Sequence, residues 1–158
     1  MNKRSLSAAL LLLLALGCTS CNFLEYPTMA KISRSMNDLR SMATGIEAYM
    51  VDKGQYPPTL ECITTPVAYL SSVYPDPFSK SGAKPNYHRK QHGWILWSMG
   101  PDKQFNMTHQ LVALLYDPAP SNPFATYQDL TLYPKLTPYM YDPTNGTVSQ
   151  GDIIRIWY

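Results

Sequence analysis

Charge is scarce in this sequence, and so are the residues most enzymes use to move protons or hold metals. Only 15% of the 158 residues are charged, and there are three histidines and three cysteines. His88 and His92 lie four apart, but across a polar turn instead of along a helix, and with His109 they show no metal-site spacing with a clear third ligand. No G-x-S-x-G phrase, P-loop or dinucleotide fingerprint occurs. A pairing of Cys62 with a histidine has no further residue pattern behind it. Glu47 and Asp52 share a helical stretch and read as solvated or capping groups, not as an acid–base pair. Asp52 falls near a helix C-terminus, where negative charge is mildly unfavourable, so it is expected to bond a loop amide. These absences point away from catalysis. Long apolar runs are equally few: Ala8 to Leu16 is the longest, too short for a spanning helix of roughly 20 residues.

That run has a different meaning. Lys3 and Arg4 precede it and Gly17 ends it, the layout of an export signal over residues 1–17. Ala15-Leu16-Gly17-Cys18 resembles the lipobox of bacterial lipoproteins, with Ala15 where leucine is usual. The resemblance implies that Cys18 is the lipidated first residue of the mature chain. Acyl chains on it would anchor the protein to a membrane in the cell envelope, facing the periplasm or the exterior. Removing the first 17 of the 158 residues leaves 141, the size of one domain. It takes two of the 13 basic residues and none of the 11 acidic ones, leaving 11 of each. A chain so balanced offers no basic face for nucleic acid.

Residues 18–28 read as a tether, with Thr28 a plausible helix N-cap, and residues 29–158 as one globular domain. Ile32, Met36, Leu39, Ala43, Ile46 and Met50 recur at steps of four and three, which places them on one face of a helix. Gly54 is suited to the left-handed residue that closes a helix, and Pro57 and Pro58 prevent its resumption. A helix of about 25 residues spans roughly 37 Å. It separates Cys21 from Cys62, which argues against a disulfide between them, and Cys62 reads as a small buried residue.

Pro66 to Leu70 suggests a short helical turn, and Tyr74 to Phe78 a stiff loop. Asn86 to Arg89 and Trp94 to Met99 read as two strands around a short turn with Gly93. Trp94 and Leu96 point one way and Ile95, Trp97 and Met99 the other, so this strand is expected to be central or covered on both sides. Ile153 to Tyr158 reads as a third strand. Trp94, Trp97, Trp157 and Tyr158 are expected in the helix–sheet core. Between Gly100 and Gly151 lies a long segment that six prolines from Pro118 to Pro143 break up, and in it Gln110 to Tyr116 fits either a short helix or an extra strand.

The fold class expected is therefore α+β, a long N-terminal helix packed on a small antiparallel sheet. Several phrases narrow it. Asp52-Lys53-Gly54-Gln55-Tyr56-Pro57 resembles the helix exit of the major pseudopilin of type II secretion systems. Tyr69-Leu70 with Pro75-Asp76-Pro77-Phe78, Ser98-Met99-Gly100-Pro101-Asp102 and Gly151-Asp152-Ile153 are similar to further phrases of that family, in the family's order. The resemblance implies a pilin-like body with a structural or assembly role, and pseudopilins or other secretion-system components as partners. It also implies calcium held by Asp102 and Asp152, to which Asp142 and Asn145 of the same loop are natural additions. Two departures matter. Lys103 stands where a glycine is common. The family's cleavage site and the apolar half-helix that polymerises are replaced by the lipobox and tether. The alternative expectation is a stand-alone envelope lipoprotein that uses this fold to bind another partner or ligand.

Overall fold

A computed structural model describes residues 26–90, 93–116 and 135–157. Helix α1 runs over Tyr26–Lys53. It starts earlier than expected: Thr28 lies inside the first turn, and Pro27 is accommodated because first-turn N–H groups lack helical partners anyway. The helix closes as anticipated. Gly54 adopts φ 70° and its N–H donates to the Met50 carbonyl at 2.8 Å. The chain then fastens to the sheet, with Arg89 Nη1 donating to the Tyr56 carbonyl and the Tyr87 hydroxyl to that of Pro57, both at 3.0 Å.

The buried face of α1 comprises Ile32, Ser35, Leu39, Met42, Ala43, Gly45 and Ile46. This corrects the expected stripe at two places: Met36 is 42% exposed, and Met42, not counted in it, is fully buried. The face is rotated toward Ser35 because that hydroxyl finds a partner beneath it, described below. Gly45 allows close approach of the next segment, since a Cβ there would stand 3.3 Å from Ile63 Cδ1. The helical turn expected at Pro66 to Leu70 occurs instead at Leu60–Ile63, as a 3₁₀ turn with Leu60 and Ile63 buried. Cys62 is a free, half-buried thiol, and Cys21 lies outside the described residues.

Strands β1 (Asn86–Arg89), β2 (Trp94–Ser98) and β3 (Ile153–Trp157) form an antiparallel sheet in the order β1-β2-β3. The central strand is buried at all five positions, as a strand covered on both faces must be. Trp94 and Leu96 join Ile32, Leu39, Met42 and Ile46 in the helix-side layer. Ile95 and Trp97 face the opposite layer with Met107, Val112 and Leu136.

The expectation that all four aromatics would lie in the helix–sheet core needs correction. Only Trp94 does. Trp97 belongs to the opposite layer, and Trp157, opposite Trp94 at the end of an edge strand, is 53% exposed. Tyr158 lies outside the described residues. The ambiguous segment is a helix, α2 (His109–Tyr116), entered through Thr108, whose Oγ1 accepts from Leu111 N–H at 3.1 Å. Val112 of α2 closes the second layer beside Trp97.

Candidate functional site

Two buried carboxylates organise the molecule through hydrogen bonds to hydroxyl and backbone groups. Asp76, 2% exposed between Pro75 and Pro77, accepts from Phe78 N–H at 2.9 Å through Oδ1. Its Oδ2 accepts from the Ser98 hydroxyl at 2.9 Å and from Met99 N–H at 2.7 Å. The Ser35 hydroxyl donates in turn to Ser98 Oγ at 2.7 Å. One chain of hydrogen bonds thus joins α1, β2 and the proline loop. A buried carboxylate needs such partners, since desolvation without them is costly. Two phrases far apart in sequence, Pro75 to Phe78 and Ser98 to Asp102, meet here for that reason.

Asp152 is fully buried and serves the opposite layer. Its oxygens accept from Asn106 N–H at 3.2 Å and Met107 N–H at 2.7 Å. Its backbone N–H donates to the Tyr139 carbonyl and its carbonyl accepts from Tyr141 N–H, forming a parallel bridge with Met140. Burial pushes the carboxyl up to about 7, against the opposing effect of the two amide donors and with help from the negative charges of Asp102 and Asp76. The glycines around it are forced. A Cβ on Gly100 would lie 1.9 Å from the Gly151 carbonyl oxygen, and one on Gly151, at φ 107°, 2.6 Å from that of Met140.

The expected calcium residues are distributed differently from a cage. Asp142 is exposed and caps its own turn, accepting from Thr144 N–H at 2.8 Å and Thr144 Oγ1 at 2.7 Å, bonds that hold its carboxyl below the usual range. Asn145 Nδ2 reaches only the same Asp142 side chain, at 3.5 Å. Asp102 accepts from Gln104 N–H at 3.2 Å. Both Asp152 oxygens are already engaged by amide donors. Among the described residues no three His, Cys, Asp or Glu side chains are placed to hold a metal ion. The set does not fit a site of six to eight converging oxygens. Lys103 adopts φ 60°, which explains why a glycine suits that position.

Glu47, Asp52 and His109 are engaged structurally. Glu47 Oε1 accepts from Trp94 Nε1 at 2.6 Å, and Asp52 Oδ2 from the Tyr69 hydroxyl at 2.9 Å. The partner of Asp52 is thus a side chain, not the loop amide expected. His109 stacks edge-on against Trp97 with ring centroids 5.0 Å apart. His92 lies outside the described residues.

The surface offers one feature of a different kind. Between α1 and β3 lies an open groove of ≈ 260 Å³, floored by Met36, Leu39 and Ile153 and bordered by Arg40 and Arg155. Sequence reasoning missed it. Its signal was an arginine on the Ile153 face of Ile153-Ile154-Arg155-Ile156-Trp157, a charge amid the apolar face of an edge strand. Among the described residues no helix is long and apolar enough to cross a membrane. Comparison with protein families, with curated proteins and with solved structures finds no match for this chain.

Proposed function

We propose that this protein is an exported lipoprotein, held in the cell envelope through Cys18, that acts by binding and not by catalysis. Its role is that of a structural or assembly component accessory to a type II secretion or type IV pilus-like system. The observation that carries the reading is the long helix α1 laid across a three-stranded antiparallel sheet. The manner of its joining adds support. The Asp52-to-Pro57 exit is fastened to β1, and the Asp76 and Ser98 phrases share one hydrogen-bond network. The residues that resemble a pseudopilin are therefore the ones that hold helix, loop and sheet together. The engaged state of Glu47, Asp52, Asp76 and Asp152 supports a binding role over a reaction centre.

A second reading keeps the anchor and the fold but makes the protein a stand-alone binder. The lipobox and tether, in place of a polymerising half-helix, favour it. Photocrosslinking in intact cells, from positions along the exposed face of α1, separates the two. Adducts with pseudopilins or their inner-membrane platform are expected. Adducts only with unrelated envelope proteins would remove the secretion role and leave the stand-alone one.

A further inference from the structure

We propose that the groove between α1 and β3 binds an extended acidic segment of a partner protein, added along the outer edge of β3 with a carboxylate held by Arg40 and Arg155. The proposal deepens the binding role and rests on it.

Three observations converge on this face. The first concerns the backbone. β2 occupies one edge of β3. On the other edge the chain itself makes a single strand-like contact, where Asp152 pairs in parallel with Met140 through both its N–H and its carbonyl. From Pro143 that neighbouring segment leaves the pairing as a 3₁₀ turn that packs on α1, and Tyr141 and Pro143 form the end wall of the groove. Strand geometry repeats every two residues, so the N–H and carbonyl groups of Ile154 and Ile156 point to the same side as those of Asp152. Among the described residues no strand continues the pairing there. A peptide would extend a ladder the fold has already begun, with main-chain bonds supplying affinity.

The second observation is charge. Arg34 is paired with Asp38, and Lys84 with Glu61. Arg40 and Arg155 are both exposed and line the same groove, yet neither forms an ion pair among the described residues. Guanidinium groups favour carboxylates through paired, charge-assisted hydrogen bonds. The third is size and chemistry. At ≈ 260 Å³ the groove falls below the roughly 300 Å³ at which small-molecule pockets begin. Met36, 42% exposed, gives it an adaptable wall suited to alternate side chains of a strand.

The test uses the full-length lipoprotein in detergent micelles and a fluorescein-labelled eight-residue peptide of alternating valine and glutamate. Its lysine-for-glutamate counterpart serves as control. Anisotropy should rise with the acidic peptide, and the lysine peptide should bind at least about tenfold more weakly. Arg155→Ala and Arg40→Ala should each weaken the acidic peptide about tenfold while thermal unfolding stays unchanged. Amide exchange at Ile154 and Ile156 should slow on binding. Equal binding of the two peptides, no binding, or protection mapping elsewhere would overturn the proposal. Concentration-dependent dimerisation lost in Arg155→Glu would assign the groove to a second copy and overturn it equally. None of these outcomes bears on the crosslinking pattern in cells, so failure here and failure of the secretion role are separable.

Discussion

The two layers on either side of β2 are built by different means. On one side a single 28-residue helix supplies most of the cover, where Ile32, Leu39, Met42 and Ile46 meet Trp94 and Leu96, and Leu60, Ile63 and Phe78 complete it. On the other, short pieces from separate stretches do the same work: Met107, Val112 and Leu136 close over Ile95 and Trp97. A long helix brings its own satisfied backbone to the interface. Irregular segments do not, and their polar groups must be matched individually. The Trp97 Nε1–H donates to the Met107 carbonyl at 3.0 Å, and Asp152 collects the amides of Asn106 and Met107. The helix-side layer follows largely from hydrophobic pattern, with the Asp76–Ser98–Ser35 network fixing its phase, whereas the second layer depends on buried polar bonds to loop amides.

The strongest way to break this comparison is to truncate the tryptophan on each side. Trp94→Ala and Trp97→Ala should each lose about 3–5 kcal/mol in denaturant unfolding. Their exchange patterns should differ. In Trp97→Ala the amides of residues 139–152 should lose protection while those of β1 and β2 keep it; in Trp94→Ala protection should fall throughout. Identical global loss in both would mean that the layers are one cooperative unit.

The polar fastening of the second layer is tested by pH. Asp152 titrates near 7 in the folded chain against an ordinary value of 3.8, so the folded state holds the extra proton between these limits. Its contribution is fully present below about pH 4 and is lost as pH rises through about 7, a decline on the order of 4 kcal/mol. Urea midpoints measured from pH 4 to 8 should show that decline, and Asp152→Asn should flatten it. A midpoint rising over the same range in step with the Asp152 titration would reverse the assignment.

A backbone contact gives the next effect. Gly100→Ala drives a methyl into the Gly151 carbonyl and should cost about 2–3 kcal/mol, read as a lowered melting temperature. The smallest effect has the opposite sign: Lys103→Gly relieves a left-handed non-glycine residue and should stabilise by about 1 kcal/mol. An unchanged midpoint would show that the lysine is not strained.

The contrast also sets what could be read in advance. The helix, its glycine stop, all three strands and the opposed faces of β2 follow from periodicity and turn residues, which are local. The phase of α1 does not. Ser35 is buried because Ser98 and Asp76 lie beneath it, and hydrophobicity alone would never select a serine over Met36. The second layer was illegible for the same reason. Met107, Val112 and Leu136 share no period, and Asp152 appears in sequence as one carboxylate among several. Its phrase Gly151-Asp152-Ile153 marks it, but nothing local shows that it is buried while Asp142 caps an exposed turn. The arginines of the groove come from α1 and β3, 115 positions apart in the chain, and only packing brings them to one surface.

The claim on which the functional account depends is that Cys18 ties this body to a membrane. Metabolic labelling with a radioactive fatty acid in a bacterial host, for the wild type and Cys18→Ala, tests it most directly. The account predicts a labelled, membrane-associated wild type and an unlabelled variant released from the membrane fraction. Label persisting in Cys18→Ala, or a wild type that takes up none, would contradict it.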